Sequence, residues 1–178
     1  MITINNLREL LVRLGFGHNP TKDVYMKEFL EYGDCVMEVD FKNKKLIYPQ
    51  KIVGKERNTG FDQPENFVVF ECVHKLLQKG YRPESIELEK VWTLGHDQKG
   101  GRADICVYAA NSNSLLFILE CKTFGTEYKK ALKKTKEDGG QIFSYWQQER
   151  AVKWIGHRLL LSFLKPFCIQ YRMFCTLR

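Results

Sequence analysis

The chain has 178 residues, enough for one domain with a sizeable hydrophobic core and a small appendage. Its composition, 44% hydrophobic and 28% charged, excludes a wholly disordered protein. The net charge of +7 is concentrated near the end, because residues 150–178 contain six basic side chains and no acid. Bulk basicity is therefore poor evidence that the body of the protein binds nucleic acid.

No apolar run reaches the roughly 18 residues that a membrane span needs. The first turns of the chain also lack the uninterrupted apolar core of a signal peptide. We therefore expect a soluble, cytoplasmic protein with no membrane partner. The six cysteines form no C-x-x-C pair, and no histidine lies at zinc-finger spacing from one of them. Buried free thiols are expected, rather than disulfides or a zinc site.

The first part of the chain, residues 1–58, is expected to form a small α/β appendage. Residues 5–14 carry the apolar spacing of a short helix. Residues 35–41 alternate as a strand, and residues 46–48 return as its hairpin partner. The polar stretch 51–60 contains two glycines and is typical of a linker. Nothing in these residues indicates a function for the appendage.

The second part of the chain, residues 59–155, has the pattern of an α/β domain. Apolar residues at helical spacing predict a long helix, and alternating or continuous apolar runs predict strands. In chain order the predicted elements are a helix at 65–79, strands at 86–94, 105–109 and 115–119, a helix at 127–136 that resumes at 141–150, and a strand at 151–155. The order is helix, three strands, helix, strand.

Charged residues lie at the ends of two of these strands. Asp104 opens one strand, and Glu120 and Lys122 close the next. Residues two apart in a strand point to the same face, so Glu120 and Lys122 project together and Cys121 points the other way. Two carboxylates and an ammonium at neighbouring strand ends are suited to hold a divalent metal and a hydrolytic water for phosphodiester cleavage.

Magnesium is the metal that these ligands favour. It prefers carboxylate, carbonyl and water oxygens, so Asp104, Glu120 and the backbone carbonyl of Cys121 form a candidate ligand set. Lys122 can orient the attacking water and offset charge on the phosphate, because its charge is compact and its pKa is tunable. Acids and lysines also end strands for purely structural reasons, and the D…ExK pattern alone has low specificity.

Two further groups follow the candidate site. Gln141 and Tyr145 are four apart on a predicted helix and share a face, where they can hydrogen-bond DNA or the active-site loop. Alternatively, Tyr145 simply packs in a core. Lys129 and Lys133 belong to a lysine-rich helix that either binds phosphates or forms a solvated face.

Five residues together resemble the PD-(D/E)xK nuclease superfamily: Asp104, Glu120, Lys122, Gln141 and Tyr145. More closely, they are similar to the N-terminal nuclease domain of type I restriction enzyme R subunits, in which a D…ExK core precedes a QxxxY motif. The resemblance covers roughly residues 62–155.

Two positions qualify the resemblance. Many members of the superfamily carry an acid on the first core helix. Glu71 is the candidate for that role, with a solvated helix carboxylate as the alternative. The proline of the superfamily name is absent, since Ala103 precedes Asp104.

The resemblance implies a restriction-endonuclease-like core, with a mixed sheet flanked by helices. It implies an endonuclease that cleaves double-stranded DNA with Mg²⁺, for which Mn²⁺ can substitute. Partners would be the motor and the methylase and specificity components of a restriction-modification system. The chain has no GxxxxGK[ST] motif and therefore no recognisable ATP site.

Residues 156–178 form a basic tail rich in Phe, Leu and Cys without a clear apolar stripe. One interpretation is an amphipathic segment that packs on the core or touches a membrane surface. The preferred one is a non-native continuation after truncation. In that case the alternative function is an inactive remnant that acts at most as a DNA-binding or subunit-docking domain.

Overall fold

The computed structural model describes residues 4–94, 98–110, 112–123, 125–138, 154–159 and 172–175. These residues form a mixed α/β fold with two β-sheets. The α-helices are α1 (Ile4–Arg13), α2 (Pro64–Gln78) and α3 (Thr126–Asp138). The first sheet consists of β1 (Gly17–Asn19), β2 (Val24–Glu28), β3 (Val36–Asp40) and β4 (Lys45–Ile47). The second consists of β5 (Ile86–Leu94), β6 (Gln98–Tyr108), β7 (Leu115–Lys122), β8 (Trp154–Leu159) and β9 (Arg172–Cys175).

The first sheet is antiparallel throughout, in the order β1-β2-β3-β4. The predicted hairpin is confirmed as β3 and β4, with Val39 opposite Leu46. Strands β1 and β2 were not expected from the sequence. Strand β1 has only three residues, and Tyr25 is the one buried residue of β2, so neither strand shows the alternation of a half-buried strand.

The second sheet has the order β5-β6-β7-β8-β9, and β7 and β8 are its parallel pair. Strand β6 begins at Gln98, seven residues before the predicted start of this strand at residue 105. Strand β8 continues to Leu159, past the predicted boundary at residue 155, and β9 pairs with it from within the basic tail. The main chain of Val53 lies along β5, where the Leu88 N–H donates to the Val53 carbonyl at 2.8 Å.

Helix α2 confirms the predicted helix at 65–79. Proline at its first position suits a helix start, where no N–H partner is needed. Its end has the Schellman geometry: Gly80 is left-handed, its N–H donates to Leu77, and the Tyr81 N–H donates to Leu76. More of α2 is buried than one apolar face would require, because the helix contacts both sheets. Phe70 packs against Tyr48 of residues 1–58, which with β1–β4 form the first unit of the chain. Residues from 59 onward, with the second sheet, form the second unit.

One buried cluster joins the two units. It contains Leu11 of α1, Met37 of β3, Val73 of α2 and Ile105 of β6. Residues 1–58 therefore contribute to the same core as the second sheet.

The opposite face of the second sheet carries a smaller cluster around Trp92, Cys106 and Ile118. The cysteines whose side chains the structure describes are buried thiols outside any disulfide, as expected: Cys35, Cys72, Cys106 and Cys121. Within the described ranges, no helix combines the length and apolar character that crossing a bilayer requires.

Candidate functional site

Strands β6 and β7 place the two predicted carboxylates opposite each other. Ile105 pairs with Leu119 and Cys106 with Ile118, so the same register sets Asp104 across from Glu120. Cross-strand neighbours of this kind have Cβ atoms roughly 5 Å apart. The two acids thus come from adjacent strands at one level of the sheet.

The main chain of β7 fixes the Asp104 carboxylate. The Cys121 N–H donates to Asp104 Oδ2 at 2.6 Å. In a strand the N–H and C=O of one residue point to the same side. The Cys121 carbonyl therefore also points toward β6, where Asp104 lies.

Lys122 completes the group as a cation held between acids. Its Nζ donates to Glu120 Oε1 at 2.8 Å, and the Glu120 side chain is only 2% exposed. Glu65 Oε1 lies 3.7 Å from the same Nζ. Sequence reasoning missed Glu65, because an acid in the first turn of a helix is ordinary and gives no signal of a site.

Charge and burial shift the pKa values of this group. Burial, followed by the nearby Glu120 charge, raises the pKa of the Asp104 carboxyl well above its usual range, against the opposing effects of Lys122 and the Cys121 N–H. Burial alone lowers the pKa of Lys122, but the Glu120 and Asp104 carboxylates raise it above its ordinary value. Lys122 therefore stays charged, and the raised pKa of Asp104 indicates that Lys122 alone does not balance its carboxylate, an arrangement that favours a further cation.

The donor set fits a magnesium ion. Across the part of the chain that the structure describes, no three His, Cys, Asp or Glu side chains gather as a ligand group. Magnesium does not require such a group, since it is usually bound through one or two carboxylates, with waters and substrate phosphate completing the octahedron. Asp104, Glu120 and the Cys121 carbonyl offer hard oxygen ligands of this kind.

Glu71 lies in the same helix as Glu65 but on another face. The two acids are six residues apart, about 120° around the helix axis. Glu71 is buried and forms an ion pair with Lys75, one turn later. The helix acid within reach of Lys122 is therefore Glu65, and a role for Glu71 in the site stays a prediction.

The structure describes two of the four predicted DNA-contacting residues. Lys129 and Lys133 are exposed on α3, which begins four residues after Lys122, and Lys133 Nζ lies 3.7 Å from Glu137 Oε1. Their spacing of four puts both lysines on one face of the helix. Gln141 and Tyr145 lie outside the described residues.

No protein-family model matches this chain, and a search of curated proteins finds no match either.

Proposed function

We propose that the chain is the Mg²⁺-dependent DNA endonuclease domain of a type I-like restriction enzyme R subunit, with a restriction-endonuclease-like core at residues 59–155. The observation that carries the proposal is the register of β6 and β7, which sets Asp104 opposite Glu120 while Lys122 bonds to Glu120. Two carboxylates and a lysine from adjacent strands are the chemistry that hydrolysis of a phosphodiester needs.

Each residue has a distinct role in the proposed reaction. Asp104, Glu120 and the Cys121 carbonyl would hold the metal, which when bound supplies charge stabilisation and a more acidic water. Lys122 is held beside Glu120, so its ammonium is positioned to orient a nucleophilic water and to offset charge on the phosphate. Glu65 steadies the Lys122 ammonium from α2, and Glu71 remains a candidate for a supporting role.

Double-stranded DNA is the proposed substrate. Lys129 and Lys133 on α3 would contact its backbone, and Gln141 and Tyr145 would contact DNA or brace the site. The proposed partners are the motor and the methylase and specificity components of a restriction-modification system, in the cytoplasm. The chain supplies no recognisable ATP site of its own.

Calorimetric titration with Mn²⁺ tests the metal site. Wild-type protein should bind the ion, and Asp104→Ala should lose the binding, because it removes one of two carboxylate ligands. Asp34→Ala is the matched control, since Asp34 is an exposed acid of the first unit. Wild-type protein that binds no Mn²⁺ contradicts the proposal and favours the inactive remnant.

Plasmid nicking in Mn²⁺ then tests the chemistry. Lys122→Gln should keep metal binding and lose nicking, because both carboxylates remain while the ammonium is gone. Nicking that survives in Lys122→Gln or Asp104→Ala would assign the activity to something other than this site.

A further inference from the structure

We infer that Glu89 of β5 is a further carboxylate of this site, a positioning residue that acts on the metal through Asp104. The inference rests on the function proposed above. It concerns a residue that neither the D…ExK pattern nor the QxxxY pattern includes.

The register of β5 and β6 puts Glu89 beside Asp104. Leu88 pairs with Ile105 and Lys90 with Ala103, so the residue across from Asp104 is Glu89. Asp104 thus has an acid opposite it on each neighbouring strand, Glu120 on β7 and Glu89 on β5. The charge of Glu89 is among the influences that raise the pKa of Asp104, after burial and Glu120.

The backbone of Glu89 reverses the alternation of side chains along β5. Its φ is +55°, a left-handed conformation that costs a non-glycine residue roughly 1–2 kcal/mol. Leu88 packs in the large core, whereas Lys90 lies over the ring of Trp92 on the other face of the sheet. This break, rather than regular strand geometry, determines where the Glu89 carboxylate lies.

The Glu89 carboxylate is buried and forms an ion pair with Arg102. Its side chain is 7% exposed, and Arg102 Nε lies 2.7 Å from Oε2. The contact lacks hydrogen-bond geometry, because Oε2 is buried without a hydrogen-bond partner. The attraction is therefore between charges, and Arg102, which is about half exposed, is the cation that balances Glu89.

The charges of the group explain what Glu89 would do. When Asp104 is ionised, as a metal ligand must be, four acids (Asp104, Glu120, Glu65 and Glu89) face the two positive charges of Lys122 and Arg102. This excess strengthens attraction for a divalent cation at Asp104 and Glu120. Groups that support a metal ligand without binding the metal typically change its affinity 10- to 100-fold.

Mn²⁺ calorimetry on Glu89→Gln tests the inference. The substitution keeps the size of the side chain and removes its charge, and we expect the dissociation constant to rise about tenfold. Glu87→Gln is the matched control on the same strand, because the Glu87 carboxylate accepts a hydrogen bond from Tyr108 and lies 3.5 Å from Lys90. The Glu87→Gln variant should bind Mn²⁺ with the same affinity as the wild type.

A second variant separates this role from a structural one. Asparagine tolerates the left-handed conformation better than glutamate does, so Glu89→Asn should be as stable as wild type or more stable, and yet bind Mn²⁺ more weakly. Thermal unfolding without metal measures the first property, and calorimetry measures the second. Unchanged Mn²⁺ affinity in both Glu89 variants overturns the inference, provided that Asp104→Ala abolishes binding. Wild-type protein that binds no Mn²⁺ overturns the proposed function itself.

Discussion

His74 is a buried titratable residue that lies apart from the candidate site. Its side chain is fully buried in α2, between the rings of Phe16 and Phe29. Lys27 Nζ lies 2.9 Å from His74 Nε2 and also donates to the Leu14 carbonyl at 2.6 Å. Because an ammonium can only donate, Nε2 must accept, and the imidazole is neutral.

His74 should make the protein less stable in mild acid. Burial, and then the charge of Lys27, lowers the pKa of His74 from 6.5 to about 3. Between these values the unfolded state binds a proton that the folded state does not, so stability falls as pH falls. We expect His74 to contribute a loss of about 2 kcal/mol between pH 7 and pH 5, which the raised pKa of Asp104 opposes. Urea unfolding of the wild type and of His74→Gln at the two pH values measures this contribution as the difference between them.

Two histidine variants locate the origin of that loss. His74→Gln should remove this contribution, so that between pH 7 and pH 5 the variant loses about 2 kcal/mol less stability than the wild type, whatever the substitution does to stability at pH 7. His18→Gln should retain it, because His18 is exposed. An equal loss in wild type and His74→Gln would show that another group titrates.

The sequence was sufficient to predict the centre of the candidate site but not its surroundings. Strand alternation and the neighbouring positions of two strands were enough to bring Asp104 and Glu120 together. Glu65 reaches Lys122 from α2 only through the tertiary fold. Regular alternation would put Glu89 on the same face as Glu87, and a left-handed residue within a strand has no sequence signal when it is not glycine.

At the scale of elements, helix α2 and strand β5 were predicted closely, and the short strands β1 and β9 were not. Helix α2 and strand β5 lie within a residue of their expected bounds, because their apolar patterns span several turns or alternations. Strands β1 and β9 have three and four residues. Such strands are defined by their partners in the sheet rather than by their own composition.

Gly54 lies close to the main chain of strand β5. A Cβ on Gly54 would lie 1.9 Å from the Leu88 carbonyl oxygen of β5. Gly54→Ala should therefore cost more than about 3 kcal/mol, because either the loop or the strand must move. Gly80→Ala should cost only about 1 kcal/mol, since Gly80 is also left-handed but has open space around it.

Urea unfolding of the two alanine variants checks this difference. Both substitutions incur the penalty of a left-handed backbone, so the difference between them measures the steric contact alone. Equal losses of stability would mean that the loop around Gly54 moves away from β5 at no cost in free energy.

At the scale of the molecule, the shared core predicts a single unfolding transition. Leu11 is fully buried in the cluster that joins both units. Leu11→Ala should lower the free energy of unfolding by about 2–5 kcal/mol. All three tryptophans lie in the second part of the chain. Their fluorescence should nevertheless show unfolding at a lower urea concentration in Leu11→Ala than in wild type, although Leu11 lies in the first unit.

Val12→Ala is the control for that experiment. Val12 is the next residue of α1 and is 61% exposed, so its truncation should change stability by less than about 0.5 kcal/mol. If tryptophan fluorescence reported the same transition in Leu11→Ala and wild type, residues 1–58 would unfold independently of the second sheet.

The main chain of Val53 covers part of the outer edge of β5, from Ile86 to Leu88. An outer strand with free N–H and C=O groups is a template on which another molecule can add a strand. Here the Val53 carbonyl accepts from the Leu88 N–H, and the Val53 N–H donates to the Ile86 carbonyl. Because Gly54 allows this segment to lie so close, a bulkier residue there would uncover the template and promote intermolecular aggregation.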